Sequence, residues 1–131
     1  DACEEGSHFS PIYSLDMSLE DKIHTIATKV YGAERVKYDI KARRQLDSHT
    51  RHGYGGLPIC MAKTQYSFSH DPKLVGAPTG WVLPVREVQL DAGAGYILPL
   101  TGSINRLPGL GLTPAAHEID VDDDGQIVGL H

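Results

Sequence analysis

Between Ser18 and Tyr31, the apolar residues Leu19, Ile23, Ile26, Ala27 and Val30 recur at helical spacing and line one face of a helix. Ser18 followed three residues later by Asp21 resembles a capping box, with Asp in the place of the stronger Glu. Gly32 supplies the stop. A helix with one apolar stripe is half of a structure, because that stripe must be buried against a second layer. A second helix is predicted from Asp39, its N-cap, to His52, with Gly53 as its glycine stop. Its apolar face is thin, Ile40 and Leu46, which places it at the surface.

The second layer is legible further on. Leu57-Pro58-Ile59-Cys60-Met61-Ala62 is short and apolar, follows a Gly-rich turn and reads as a buried strand. Lys63 to Gly80 shows no helical or strand period, and loops of about that length are often functional. Trp81 to Leu90 returns to strand character, with Pro84 pointing to an edge position or a bulge. Tyr96 to Leu100 is a further strand. Glu118–Val121 and Gln126–Leu130 flank an acidic turn and form a hairpin. Helices first and short strands later predict an α/β or α+β domain: two helices on a small mixed sheet, ending in a β-hairpin. The 131 residues fit one domain.

Composition excludes some functions. The net charge of −5 and the sparse aromatics give neither a basic face nor a stacking platform, so nucleic acid is not expected as a partner. No apolar run is long enough to span a membrane, and none is expected as a partner either. Two cysteines, Cys3 and Cys60, make no disulfide framework, and a reducing compartment is the simpler reading. Cys60, inside the apolar run, is expected to be a buried small hydrophobe. The opening Asp1 to Gly6 lacks an initiator Met, and Ala2 to Glu5 before Gly6 reads as the last turn of a helix continuing from a longer chain.

Several patterns invite chemistry. Asp120, Asp122, Asp124, Gly125 and Ile127 fit the first eight positions of a calcium-binding EF-hand loop. The twelfth position is His131 instead of Glu, and no helices flank the loop, so the hairpin turn is the favoured reading. His49 and His52 read as solvated residues on a surface helix, and no metal set is expected. Gly53-Tyr54-Gly55-Gly56 precedes a strand, and Gly93-Ala94-Gly95 joins two, so neither is a phosphate loop. Arg86 with Glu87 reads as a cross-strand ion pair. The stretch that stands out is the end of the apolar run, where Lys63, Thr64, Gln65 and Ser67 follow in close order. Ligands of open α/β sheets sit at strand carboxyl ends. There Lys63 offers a charge for a phosphate or carboxylate, and Thr64, Gln65 and Ser67 offer hydrogen bonds. A strand end that caps itself and orders its own loop explains the same residues, and both readings stay open.

The same residues carry a family likeness. Leu57 to Ser67 followed by Asp71-Pro72 resembles a signature stretch of formate–tetrahydrofolate ligases. Val85-Arg86-Glu87-Val88, Ala92-Gly93-Ala94-Gly95, Leu107-Pro108-Gly109-Leu110, Pro114-Ala115-Ala116 and Ile119-Asp120-Val121-Asp122 continue it in order. Glu4-Glu5-Gly6 and Lys29-Val30-Tyr31-Gly32-Ala33 fit upstream. Asp91 stands where the family usually has Ser, Ile104-Asn105-Arg106 replaces a Met-Thr-Met-like run, Gly111 stands where Pro is common, and His131 replaces Phe. The resemblance covers only the C-terminal part of such an enzyme. It implies ATP-dependent joining of formate to tetrahydrofolate, with ATP, tetrahydrofolate and Mg²⁺ used by the full enzyme. It also implies the missing N-terminal, nucleotide-binding part of the same enzyme as a partner, a homo-oligomer, and a cytoplasmic location, with a mitochondrial one open. On this reading Lys63, Thr64, Gln65 and Ser67 are the substrate-binding candidates, and no catalytic or metal-ligating residue is expected in this part. The alternative role is packing or subunit contact alone.

Overall fold

The computed structural model describes residue 6, residues 9–104 and residues 111–130. Its elements in order are helix α1 (Leu19–Lys29), strand β1 (Arg35–Tyr38), helix α2 (Ile40–Arg51), strands β2 (Val82–Asp91) and β3 (Tyr96–Thr101), and the hairpin strands β4 (Asp120–Val121) and β5 (Ile127–Val128). The first three strands form one sheet in the order β1-β2-β3, with β1 parallel and β3 antiparallel to β2. The expected α/β arrangement of two helices and a small mixed sheet is present. The turn of helix expected at Ala2–Glu5 and the motif Leu107–Leu110 lie outside the described residues.

Helix α1 starts as its sequence requires. The Ser18 hydroxyl oxygen accepts the Asp21 N–H (3.1 Å) and donates to the Asp21 carboxylate (2.6 Å). Glu20 and Asp21 in the first turn and Lys29 in the last complement the helix dipole. The stripe of Leu19, Ile23, Ile26 and Ala27 is buried, whereas Val30 lies past the helix end and is half exposed. Gly32 takes a positive φ of 72°, which a side chain would resist. In α2 the buried residues are Ala42 and Leu46, while Ile40, expected on the apolar face, is exposed. Leu19, Ile23, Ala27, Ala42 and Leu46 join Leu83, Val85, Val88 and Ile97 of the sheet in one core.

Strand β1 has no counterpart in the sequence reading. Four residues are a weak signal, although Arg35-Val36-Lys37-Tyr38 does alternate in burial with period two. β2 is the central strand, so Pro84 is not at an edge. The bulge expectation holds in displaced form. The β2–β3 register shifts between Val85 and Glu87, and the ladder ends at Val85 opposite Thr101, so Pro84 lies beyond its last pair.

The run Leu57–Ala62 is a half-buried edge segment, not a buried strand. It runs parallel to β3 through Ile97 N–H to Pro58 O, Cys60 N–H to Ile97 O, Ala62 N–H to Pro99 O and Thr101 N–H to Ala62 O, all near 3 Å. Only one of its faces meets the core, so Cys60 points away and is exposed, contrary to expectation.

Sequence also missed Lys22, which lies within the buried stripe of α1 and is fully buried. Its ammonium donates to Gly55 O (2.7 Å) and Leu57 O (3.1 Å). Burial lowers its pKa, and Asp16 partly opposes that. Lys22→Met keeps the apolar stem but leaves both carbonyls without their donor. It should lower unfolding stability by about 1 kcal/mol, the low end of the cost of stranding acceptors, because both carbonyls are only partly buried. Urea denaturation of wild type and variant measures this, and equal midpoints would mean that the bonds contribute nothing net.

Candidate functional site

The edge segment delivers Lys63 to a fixed place. Ala62 O accepts both the N–H of Thr101 and its hydroxyl (3.0 Å each), so the backbone is clamped to the last residue of β3. The chain then leaves the sheet, and Lys63 to Phe68 curl over the end of α1. With Tyr31, Met61 and Gly76 they line an open cleft of about 490 Å³. The four predicted site residues, Lys63, Thr64, Gln65 and Ser67, all lie in its wall.

They are not equally available. The Lys63 ammonium donates to Thr64 O (2.8 Å) and to Ser67 O, and lies 4.9 Å from the centre of the Tyr31 ring. An ammonium has three protons, so one remains for a further acceptor. Burial lowers its pKa. Tyr31 was missed as a partner in this site; burial raises the pKa of its phenol, with a smaller push from nearby Cys60. Thr64 is half buried, and its hydroxyl oxygen accepts from the Tyr66 N–H (3.3 Å). Gln65 is exposed, as are Tyr66 and Phe68.

Ser67 is buried, and its hydroxyl belongs to the loop. It donates to Leu74 O, accepts from the Ser69 N–H (2.9 Å) and touches Ser69 Oγ at 2.9 Å. Ser69 in turn joins both backbone groups of Asp71, and Phe68 N–H reaches Gly76 O (3.0 Å). The segment from Lys63 to Gly80 therefore has no helix or strand, as expected, and is held by serine hydroxyls and a bridge between Ser67 and Gly76.

A second cleft of about 350 Å³ lies on the other side of the same turn. Thr64 and Gln65 line it too, with His70, Asp71, Pro72 and Gly102–Ile104. Both clefts thus sit at the carboxyl ends of the edge segment and β3, where ligands of such sheets gather. Gly102, at φ 60°, passes so close that a Cβ would stand 3.1 Å from His70 O.

The other candidates resolve into structural roles. Glu87 pairs with Lys41 of α2 (2.7 Å), not with Arg86, and Arg86 donates to Ile104 O. The register shift of β2 falls at these two residues, and each side chain is taken by a different neighbour. His49, expected in solvent, is half buried, and its Nε2 bonds Val88 O (3.0 Å). A carbonyl only accepts, so Nε2 carries the proton. The acidic turn is a hairpin turn: Asp122 Oδ1 accepts the N–H groups of Asp124 (3.0 Å) and Gln126 (2.8 Å), and Gly125 takes φ 79°. Among the described residues no three His, Cys, Asp or Glu side chains are grouped to hold a metal, and no helix is long and apolar enough to cross a membrane.

The profile of the family described as formate–tetrahydrofolate ligase matches residues 1–131. The chain belongs to the formate–tetrahydrofolate ligase family. It is 63% identical over 129 residues to a formate–tetrahydrofolate ligase of Roseiflexus sp. (strain RS-1), covering 98% of this chain and 23% of that relative. It is 52% identical over 130 residues to one from Saccharopolyspora erythraea, covering 99% of this chain and 23% of the relative. A Lactiplantibacillus plantarum ligase is 50% identical over 130 residues, covering 99% and 24%. The chain therefore spans about a quarter of the length of the curated relatives it matches. Family membership agrees with the resemblance read from Leu57–Ser67 and the motifs around it.

The depressed Lys63 pKa has a testable sign. A folded-state pKa below the unfolded value means that the unfolded chain holds the proton over the window between them, so stability rises with pH there. The upper bound of that window is the ordinary lysine value of about 10.4. Wild type should gain stability relative to Lys63→Arg as pH rises toward that bound, because arginine stays charged in both states. Denaturation midpoints taken across the alkaline range check this, and parallel curves would contradict it.

Proposed function

We propose that this chain forms part of the substrate cleft of an ATP-dependent formate–tetrahydrofolate ligase, which joins formate to tetrahydrofolate as 10-formyltetrahydrofolate with release of ADP and phosphate. The observation that carries the reading is the cleft at the end of Leu57–Ala62, whose wall is the stretch that resembles a signature of this family. Lys63, with one ammonium proton still unassigned, meets an anionic group of the substrate. Gln65, exposed and bordering both clefts, donates or accepts at the substrate's polar edge. Thr64 and Ser67 complete the wall, Ser67 chiefly by keeping the loop in shape.

The rest of the chemistry belongs elsewhere in the longer polypeptide. No glycine-rich turn among the described residues opens a helix, so these residues do not fit the polyphosphate of ATP. The donor set of the cleft, an ammonium with amide and hydroxyl groups, does not fit Mg²⁺, which needs oxygen anions. On this reading the N-terminal part supplies both, the assembled enzyme is a homo-oligomer, and it works in the cytoplasm.

The internal bonds of Lys63 and Ser67 favour a second reading, in which the strand end only orders its loop and the domain serves packing or subunit contact. Lys63→Ala in the full-length polypeptide separates the two. A charged hydrogen bond to substrate is worth roughly 1.5–3 kcal/mol, so kcat/KM should fall by about tenfold or more. Unchanged kinetics with lowered stability or lost assembly would instead establish the packing role.

A further inference from the structure

The hairpin β4–β5 is built with care yet left uncovered. Val121 lies opposite Ile127, so the two share one face, and Ile119 falls on that face by the strand period. Their exposures are 60%, 63% and 43%. On the opposite face Val128 lies across from Asp120 and is also exposed. An isolated two-stranded hairpin is marginal in water, and an apolar face of this kind has nothing to gain there. Its two ends meet closely at one point. Gly129 has φ 77°, and a Cβ there would stand 1.8 Å from Glu118 O. The aliphatic face of the hairpin therefore lies in solvent among the described residues.

We propose that the Ile119–Val121–Ile127 face docks onto the remainder of the same polypeptide, on an apolar surface rimmed by basic side chains. Length is one argument: the matched relatives are about four times as long, so most of the folded mass lies outside this segment. Charge is the other. Between Glu118 and Leu130 there are five carboxylates, at Glu118, Asp120, Asp122, Asp123 and Asp124, and no Lys or Arg. A two-fold contact between copies of this hairpin would bring like charges together. A different surface with basic groups at its edge complements them. The proposal is independent of the role of Lys63.

The test is hydrogen exchange on the full-length polypeptide, with subunit mass measured by light scattering. The variant is Val121→Thr with Ile127→Thr, which keeps strand propensity and costs nothing on a solvated face. Amides of the hairpin should be protected in wild type and exchange about tenfold faster in the variant, at unchanged mass and independently of concentration. Three results would overturn the proposal: a wild-type hairpin without protection, a variant with the same exchange as wild type, or faster exchange accompanied by loss of assembly mass. The last would assign the face to a second copy.

Discussion

The Lys22 ammonium is the tie on which the geometry of the cleft depends. It leaves a helix stripe that is otherwise apolar and reaches the carbonyls of Gly55 and Leu57, at the point where the chain turns out of α2 toward the sheet edge. From there the sequence of constraints is short. The Ile59 N–H donates to the Tyr13 hydroxyl (3.0 Å), the segment to Ala62 is laced to β3, and Lys63 emerges where that lacing ends. A buried charge is tolerated only when it is paired or hydrogen-bonded, and the two carbonyls together with nearby Asp16 meet that requirement. In exchange, the register of the edge segment is set, and with it the position of every residue in the cleft wall.

The wall itself shows how an irregular loop can be ordered without secondary structure. Short side chains do the work of a ladder. Ser67 and Ser69 bond backbone groups two residues on, Asp71 receives the N–H of Lys73 (2.9 Å), and Lys63 closes the turn by reaching Thr64 O and Ser67 O. Such hydroxyl and carboxylate turns compete with regular structure. That competition is why the sequence from Lys63 to Gly80 reads as unpatterned and yet folds to a defined shape. It also places Tyr66 and Phe68 outward at the mouth, where a neighbouring surface or a flat ligand group can meet them.

Family membership and structure divide the functional question between them. The likeness of the signature stretch runs through residues whose positions are now explained by fold as much as by chemistry: Pro58, Cys60 and Ala62 pair with β3, and Ser67 knits the loop. Lys63 and Gln65 both line the cleft, Lys63 tied to its own loop and Gln65 exposed. The acidic hairpin, whose spacing imitates a calcium loop, shows the same lesson in reverse. Asp122 Oδ1 is committed to two backbone N–H groups, and the flanking strands replace the helices such a loop would need.

Sequence alone determined the two helices and the side-chain cap of the first, the strands on either side of Gly93-Ala94-Gly95, the terminal hairpin and the family; Asp39 stands at the start of the second helix without a side-chain capping bond. Each rests on local periodicity, on turn chemistry, or on side chains in fixed order, which are properties of neighbours along the chain. Tertiary structure decided the rest. It paired β1 with β2, put Pro84 in the central strand beyond the last pair with β3, and turned Cys60 outward because an edge segment buries only one face. It sent Glu87 to Lys41 and His49 to Val88, and set Lys63 over Tyr31, far back along the chain in the turn after α1. These are contacts between residues distant in sequence, and no local pattern encodes which of them will meet.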